Sequence, residues 1–344
     1  MAGKTRIWTP IDYDAEGKQS DCLRLPHSTD LSAYGFVPIP LVCIKNGSGP
    51  TALLIAGNHG DEYEGQIALC NLTREIRHDQ VSGRLIILPA LNFPAVAAGR
   101  RVSPLDEGNL NRSFPGDAAG TPTQMIAHYV CEMLIPMADI VVDLHSGGRS
   151  LEYVASALVR PGRTTGEHEQ LLRLLRLFGA PISFVSDGTG GGGLTTLAAA
   201  AQEQGALALT TELGGGATLS KEGLALAEAG LKRLLKDQGI LREVAAEPAP
   251  PTRFMTVKGH SAFVYARDRG IFEPAAEIGE EVVGGQIAGR IHFPDLPTRE
   301  PEALFFESSG LVACRRAPSL TERGDCLFKV MADLDAGPER ASHA

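Results

Sequence analysis

Short apolar runs alternate with segments of helical periodicity over most of the chain. Continuous apolar runs are typical of strands buried on both faces, whereas apolar residues three and four positions apart predict helices with one buried face. The predicted strands lie at 51–57, 84–91, 138–145, 151–159, 182–186 and 206–213, and the predicted helices near 67–76, 123–134, 167–178, 194–204 and 220–238. This alternation predicts an α/β fold with a mixed, mostly parallel sheet flanked by helices.

The two ends of the chain lack this alternation. Residues 1–50 are predicted to be β-rich, and the proline-rich stretch 245–252 is typical of a linker between domains. Beyond the linker the helical period disappears, and strand-and-turn patterns follow. We therefore predict a main domain over 1–245, a smaller all-β barrel or sandwich domain over 246–335, and a flexible tail over 336–344.

Charge and cysteine usage limit the classes of partner. The formal net charge of −9 argues against binding to nucleic acid or to an anionic membrane surface. No apolar run approaches the roughly 20 residues that span a bilayer. The six cysteines are scattered without a C-x-x-C pair, which is typical of reduced thiols in a cytoplasmic protein. We expect a small-molecule substrate, and the sequence leaves a homo-oligomer open.

The segment GNHGDEYEGQ directly follows the first predicted buried strand, and it holds His59 and Glu62 in an H-x-x-E spacing. Loops beyond the carboxyl ends of strands form the sites of α/β sheets. His145 ends another buried strand, in DLHSGG. Two histidines and a glutamate form the ligand set of a catalytic zinc site, although H-x-x-E alone is common by chance. We predict that His59, Glu62 and His145 bind one Zn²⁺ per chain.

Glu212 ends a third buried strand, in TTELGGG. A carboxylate there is costly to bury without a partner or a task. Its alternative interpretation is an N-cap for the following helix. A zinc hydrolase needs a general base beside the attacking water, and Glu212 is the candidate with the best position.

The irregular stretch 98–116 carries arginines that suit a carboxylate or an oxyanion. Surface solvation is the alternative for any single arginine. The glycine run at 187–194 lacks the G-K-[ST] ending of a phosphate loop, so we interpret it as a mobile lid or a pocket wall.

Together, HGDEYEG, NLNRSFPG, DLHSGG and TELGGG resemble the succinylglutamate desuccinylase/aspartoacylase family, relatives of the zinc carboxypeptidases. The resemblance covers about residues 40–330 and implies zinc-dependent hydrolysis of an N-acyl amino acid. It also implies roles for residues: Glu212 is the catalytic base, and Asn111 with Arg112 binds the substrate's α-carboxylate. Arg101 polarises the scissile carbonyl, unless the adjacent Arg100 does so.

The sequence leaves several substrate specificities open. The layout is most similar to family members that deacetylate Nα-acetyl-L-2,4-diaminobutyrate in ectoine degradation, and Asp187 is a candidate partner for the substrate's ammonium group. The alternatives are aspartoacylase or desuccinylase specificity, a small-substrate carboxypeptidase, or a non-catalytic metal-bearing binding protein. A dicarboxylate substrate would require an additional cation in the pocket.

Overall fold

The computed structural model describes residues 5–186, 188 and 192–334. The predicted tail 336–344 and the candidate Asp187 lie outside the described residues, as does part of the glycine run. Within the described residues, no helix combines the length and the apolar character needed to cross a membrane.

The described residues form helices and strands close to the predicted positions. The helices are α1 (Tyr63–Glu75), α2 (Phe93–Ala98), α3 (Pro122–Tyr129), α4 (Thr165–Phe178), α5 (Leu197–Glu203) and α6 (Lys221–Asp237). The strands are β1 (Gly17–Pro26), β2 (Phe36–Asn46), β3 (Thr51–Ala56), β4 (Gly83–Leu88), β5 (Ile140–Leu144), β6 (Leu151–Tyr153), β7 (Ser156–Val159), β8 (Ile182–Val185), β9 (Leu207–Glu212), β10 (Arg253–Thr256), β11 (Phe263–Tyr265), β12 (Gly270–Pro274), β13 (Glu281–Val282), β14 (Ile287–His292), β15 (Glu302–Phe305), β16 (Gly310–Arg316), β17 (Leu320–Thr321) and β18 (Cys326–Asp333).

One large twisted sheet organises the molecule, in the order β1-β2-β4-β3-β5-β9-β7-β8-β10-β18-β16-β13. Strands β4, β3, β5 and β9 are parallel neighbours, and so are β7, β8 and β10. Strands β1 and β2 extend one side in antiparallel pairing, and β7 runs antiparallel to β9. The predicted mixed, largely parallel sheet is confirmed.

Alternation of side chains along β3 places hydrophobic cores on both faces of this sheet. All six residues of β3 are buried. Leu54 packs into a core with residues of α1, α4 and α6, whereas Leu53 and Ile55 pack into a second core with residues of α3 and α5. Full burial of such side chains contributes about 1.5–3 kcal/mol each. This central strand is therefore a rigid support for the loop that follows it.

The prediction of a single strand over 151–159 is wrong, because the structure divides this segment into β6 and β7. Strand β6 pairs antiparallel with β16, whereas β7 pairs parallel with β8 and antiparallel with β9. Residues 154 and 155 lie between the two strands, where the chain changes partners. The segment contains no glycine or proline, so the sequence alone does not reveal the break.

The C-terminal region contains strands in two sheets. Strands β15, β14, β12 and β17 form a small antiparallel sheet, and β10, β18 and β16 extend the main sheet. Phe272, Phe306 and Phe328 form its core, with the Phe328 ring centroid 5.2 Å from that of Phe306 and 5.6 Å from that of Phe272. The β character of this region is confirmed, whereas closure as a barrel or sandwich and the domain boundary near residue 245 stay predictions.

Candidate metal centre

The carboxyl ends of β3, β5 and β9 meet at one edge of the sheet, because these strands are parallel neighbours. His59 and Glu62 lie between β3 and α1, and His145 follows β5 directly. The three side chains are buried, and one ligand atom from each lies within 4.8 Å of the others. The sequence-predicted ligands therefore lie together.

The carboxylate of Glu62 lies between the two imidazoles. His59 Nδ1 is 2.7 Å from Glu62 Oε1, and His145 Nδ1 is 2.8 Å from Glu62 Oε2. Donors that bind one zinc at about 2.0–2.2 Å each are separated by up to about 4 Å. Two Nδ1 atoms and a carboxylate oxygen thus fit a single zinc ion in number, chemistry and separation.

The same contacts shift the pKa values of Glu62 and His145. Burial acts to raise the pKa of Glu62, but the charges and hydrogen bonds of His59 and His145 outweigh it and hold that pKa well below its usual range. Burial acts to lower the pKa of His145, but Asp143 and Glu62 hold it well above the usual value. Since a zinc ligand must be a neutral imidazole, metal binding would release a proton from His145.

Two residues that were not predicted from the sequence, Asn109 and Asp143, contact the Nε2 atoms of the two imidazoles. His59 Nε2 lies 3.1 Å from Asn109 Oδ1, and His145 Nε2 lies 2.9 Å from Asp143 Oδ2. Asn58 Nδ2 in turn donates to Asp143 Oδ1 at 2.8 Å. Partners of this kind fix the tautomer and direct Nδ1 toward the metal position. Asp143 could have been identified from the sequence, because it lies two positions before His145 and residues two apart on a strand share a face.

Replacing Asp143 by alanine is expected to weaken zinc binding by about tenfold to a hundredfold, because His145 loses the group that orients its ring. Competition against a chromogenic chelator measures this change. Asp139→Ala is the matched control, because Asp139 accepts a hydrogen bond from the backbone N–H of Thr51 at the opposite end of the strands. Equal zinc affinity of wild type and Asp143→Ala would contradict the assignment.

Glu212 ends β9 beside this cluster, and its alternative interpretation as an N-cap is wrong because Ser220 caps α6. Among the described residues, its buried Oε2 atom has no hydrogen-bond partner. Burial and the negative charge of Glu62 raise the pKa of Glu212 to about 8, although His145, Lys329 and Arg101 act in the opposite direction. A carboxylate with this pKa and a free oxygen suits general base catalysis.

The geometry distinguishes the two adjacent arginines of the loop 98–116. Arg101 Nη1 lies 3.3 Å from His59 Nδ1 and 3.6 Å from Glu62 Oε1. Arg100 instead pairs with Glu107 at 2.6 Å, and both of those side chains are exposed. Of the two, Arg101 is the one at the metal centre.

Asn111 and Arg112 also lie at the centre, but the amide oxygen of Asn111 is already engaged. Its Oδ1 accepts a hydrogen bond from the backbone N–H of Leu197 at 2.9 Å, whereas its Nδ2 lies 3.0 Å from His145 Nε2. Arg112 is an exposed residue that donates to the carbonyl of Asn111. Burial and the neighbouring Arg101 lower the pKa of Arg112, while the charge of Glu212 raises it.

A cavity of about 410 Å³ joins these groups. Its lining includes a third arginine, Arg160, which donates to the carbonyl of Gly193 at 2.9 Å. Gly188 and Gly192 also line the cavity, which agrees with the interpretation of the glycine run as a pocket wall. The cavity holds three ligand donors, a carboxylate and three guanidinium groups, a combination suited to hydrolysis of a small anionic amide.

Comparison with known proteins adds independent findings. A family model for the succinylglutamate desuccinylase/aspartoacylase catalytic domain matches residues 48–237. The N-alpha-acetyl-L-2,4-diaminobutyric acid deacetylase of Halomonas elongata is 39% identical over 321 residues, which cover 93% of each chain.

Solved structures are similar over nearly the whole chain. A succinylglutamate desuccinylase/aspartoacylase from Rhodobacter sphaeroides has a TM-score of 0.91 at 39% identity, covering 96% of this chain and 100% of the other. The product-bound ectoine utilization protein EutE (DoeB) from Ruegeria pomeroyi has a TM-score of 0.91 at 40% identity, covering 96% and 99%.

Proposed function

Because the chain belongs to the succinylglutamate desuccinylase/aspartoacylase family, we propose that it is a zinc-dependent deacetylase of Nα-acetyl-L-2,4-diaminobutyrate. The products would be diaminobutyrate and acetate. The observation that carries the hydrolytic activity is the position of Glu212 on the same cavity as the three ligands His59, Glu62 and His145, with its Oε2 atom unpaired among the residues that the structure describes.

In this mechanism the protein holds one zinc ion and moves one proton. Bound zinc would lower the pKa of water to about 7 and polarise the amide carbonyl. Glu212 accepts the proton of the attacking water as its oxygen bonds to the amide carbon. Glu212 then gives that proton to the departing amine as the carbon–nitrogen bond breaks.

The arginines hold the negative charges of the substrate. Arg101 is placed to stabilise the developing oxyanion, because its guanidinium lies beside the ligands His59 and Glu62. Arg112, with Asn111, binds the α-carboxylate and so fixes the amide relative to Glu212.

Similarity to the diaminobutyric acid deacetylase and to the ectoine utilization protein supports the choice of acyl amino acid. We accordingly place the activity in ectoine degradation in the cytoplasm, with one zinc per chain and no nucleic-acid or membrane partner. A homo-oligomer is compatible with this activity.

Arg160 favours a second candidate function. Hydrolysis of an N-acyl aspartate or a succinylated amino acid requires a cation for the additional carboxylate, and Arg160 is a cavity-lining cation that the proposed deacetylation does not use. Its present hydrogen bond to the Gly193 carbonyl would have to be exchanged for one to the substrate.

A direct assay separates the two candidates. Purified protein with stoichiometric zinc is supplied with Nα-acetyl-diaminobutyrate, N-acetyl-aspartate or N-succinyl-glutamate, and release of acetate or succinate is measured. Faster turnover of the acetylated diaminobutyrate supports the proposed function. Preference for N-acetyl-aspartate or N-succinyl-glutamate would replace it, and absence of hydrolysis on the whole panel would favour a non-catalytic binding protein.

Replacing Arg112 by methionine is expected to raise KM by roughly tenfold to a hundredfold, since a hydrogen bond to a charged group contributes about 1.5–3 kcal/mol. Steady-state kinetics with the preferred substrate measure the change. Arg100→Met is a closely matched control, because Arg100 lies in the same loop and pairs with the exposed Glu107. An unchanged KM for Arg112→Met would remove Arg112 from the carboxylate site.

A further inference from the structure

Arg149 lies in the loop after β5, four positions beyond His145, and it contacts two other loops of the metal centre. Its backbone N–H donates to Asp61 Oδ2 at 2.8 Å, in the loop between β3 and α1. Its guanidinium donates to the carbonyl of Gly99 through Nε at 3.3 Å and through Nη2 at 3.1 Å. Arg149 therefore joins the two loops that carry the proposed zinc ligands to the start of the loop 98–116.

The carbonyl of Gly99 is well suited to this partner. Helix α2 ends here, and Gly99 is its C-cap residue in the left-handed conformation, with φ 57°. The last carbonyls of a helix lack intrahelical partners, and a positive charge near them interacts favourably with the helix dipole. The guanidinium of Arg149 supplies both the hydrogen-bond donors and the charge.

The contact with Gly99 lies two positions before Arg101 in the chain. The intervening residue is held as well, because the carbonyl of Arg100 accepts a hydrogen bond from the backbone N–H of Gly60 at 2.8 Å. Two consecutive carbonyls are thus fixed directly before Arg101, one by Arg149 and one by Gly60. These contacts set the position of the Arg101 backbone relative to the proposed ligands.

The side chain of Arg101 depends on this support. It is 43% exposed, and its contacts are with His59 Nδ1 and Glu62 Oε1. Both atoms belong to proposed zinc ligands, so metal binding would weaken these contacts, and the charge of the ion would repel the guanidinium. A long, half-exposed side chain stays near the ion only if its Cα is held close to it.

We propose that Arg149 is a positioning residue for Arg101. It fixes the end of α2 to the loops of the metal centre and so keeps the Arg101 guanidinium where the oxyanion develops. Among the described residues that line the cavity, Arg149 is not included, so it acts through Arg101 and does not contact the substrate. This inference rests on the proposed role of Arg101 in stabilising the oxyanion.

The first test compares Arg149→Met and Arg149→Lys with wild type in the zinc-loaded protein. The methionine variant should lower kcat by about threefold to tenfold, the range that corresponds to the loss of one hydrogen bond. KM and zinc content should stay unchanged, because the oxyanion exists only in the transition state. The lysine variant keeps a charge and a donor, so it should recover part of the lost kcat.

Arg77→Met is the matched control, because Arg77 is an exposed arginine that pairs with the exposed Asp79 and lies outside the cavity lining. It should have the kcat of wild type. An unchanged kcat in Arg149→Met, or a fall equal to that in the control, would overturn the proposal.

A double-mutant cycle shows whether Arg149 acts through Arg101. In the Arg101→Met background, the further change Arg149→Met should alter kcat by less than about twofold, because the guanidinium that it positions is already absent. A residue with a general structural role would instead lower kcat by the same factor in both backgrounds. Such additive losses would overturn the positioning role.

A measurement that does not depend on turnover completes the test. Trypsin cleavage after Arg100 and Arg101 is followed by mass spectrometry in the zinc-loaded protein. Arg149→Met should be cut there about threefold to tenfold faster than wild type, because cleavage follows local opening of the segment that Arg149 holds. Arg77→Met should be cut at the wild-type rate.

Equal cleavage rates in wild type and Arg149→Met would overturn the proposal even if the protein hydrolysed none of the substrates. Faster cleavage with an unchanged kcat would also overturn it. Faster cleavage in a protein without any hydrolytic activity would overturn the proposed function and leave the anchoring of the loop by Arg149 supported.

Discussion

Replacement of Glu212 by glutamine is expected to lower kcat by about two to four orders of magnitude while zinc remains bound. The amide has the size of the carboxylate but cannot accept the proton of the attacking water or return it to the leaving amine. The three proposed ligands His59, Glu62 and His145 stay intact in this variant. Acetate release and zinc content, measured on the same sample, check both parts of the expectation.

Glu222→Gln is the control for this variant, because Glu222 is an exposed glutamate in the first turn of α6 and lies outside the cavity lining. Near-normal turnover of Glu212→Gln with a full complement of zinc would show that another group is the base. A loss of zinc would instead show that Glu212 acts on the metal site.

Replacement of His145 by alanine is expected to remove both zinc and activity. His145 supplies one of the three protein donors in the cluster, and its Nδ1 lies 2.8 Å from the Glu62 carboxylate. Two donors alone do not form a catalytic zinc site, so the metal should be lost on dialysis. Activity should fall at least as far as in Glu212→Gln.

Metal analysis after dialysis, followed by assay with added zinc, measures this effect. His78→Ala is the control, because His78 is a solvent-accessible histidine that lies 4.0 Å from Glu16 and far from the ligands in sequence. Retention of one zinc per chain and normal turnover in His145→Ala would contradict the proposed ligand set.

Much of the α/β fold could be predicted because its strands are buried on both faces. The run at 51–57 is almost continuously apolar, the run at 138–145 is apolar apart from Asp139, Asp143 and His145, and the structure places β3 and β5 within them. The division of 151–159 into two strands could not be predicted, because it depends on pairing with β16, more than 150 positions away. The pattern of apolar residues along a chain indicates which segments are buried. Which strands pair with each other depends on contacts between distant segments.

The same distinction between local pattern and distant contacts applies to the residues of the candidate site. His59 and Glu62 could be identified because they follow a buried strand, and Glu212 because it ends one; the ends of parallel strands meet at one edge. The contact of Asn109 with His59 depends on how the loop 98–116 folds back over the sheet.

The C-terminal strands continue the main sheet through the parallel pairing of β10 with β8 and the antiparallel pairing of β16 with β6. A chain shortened at the proline-rich linker would leave backbone N–H and C=O groups of β8 and β6 without partners. Exposed strand edges of this kind recruit other chains and promote aggregation. The C-terminal strands of the main sheet therefore protect the catalytic part from self-association. For the same reason they are unsuited to removal or exchange as an independent module.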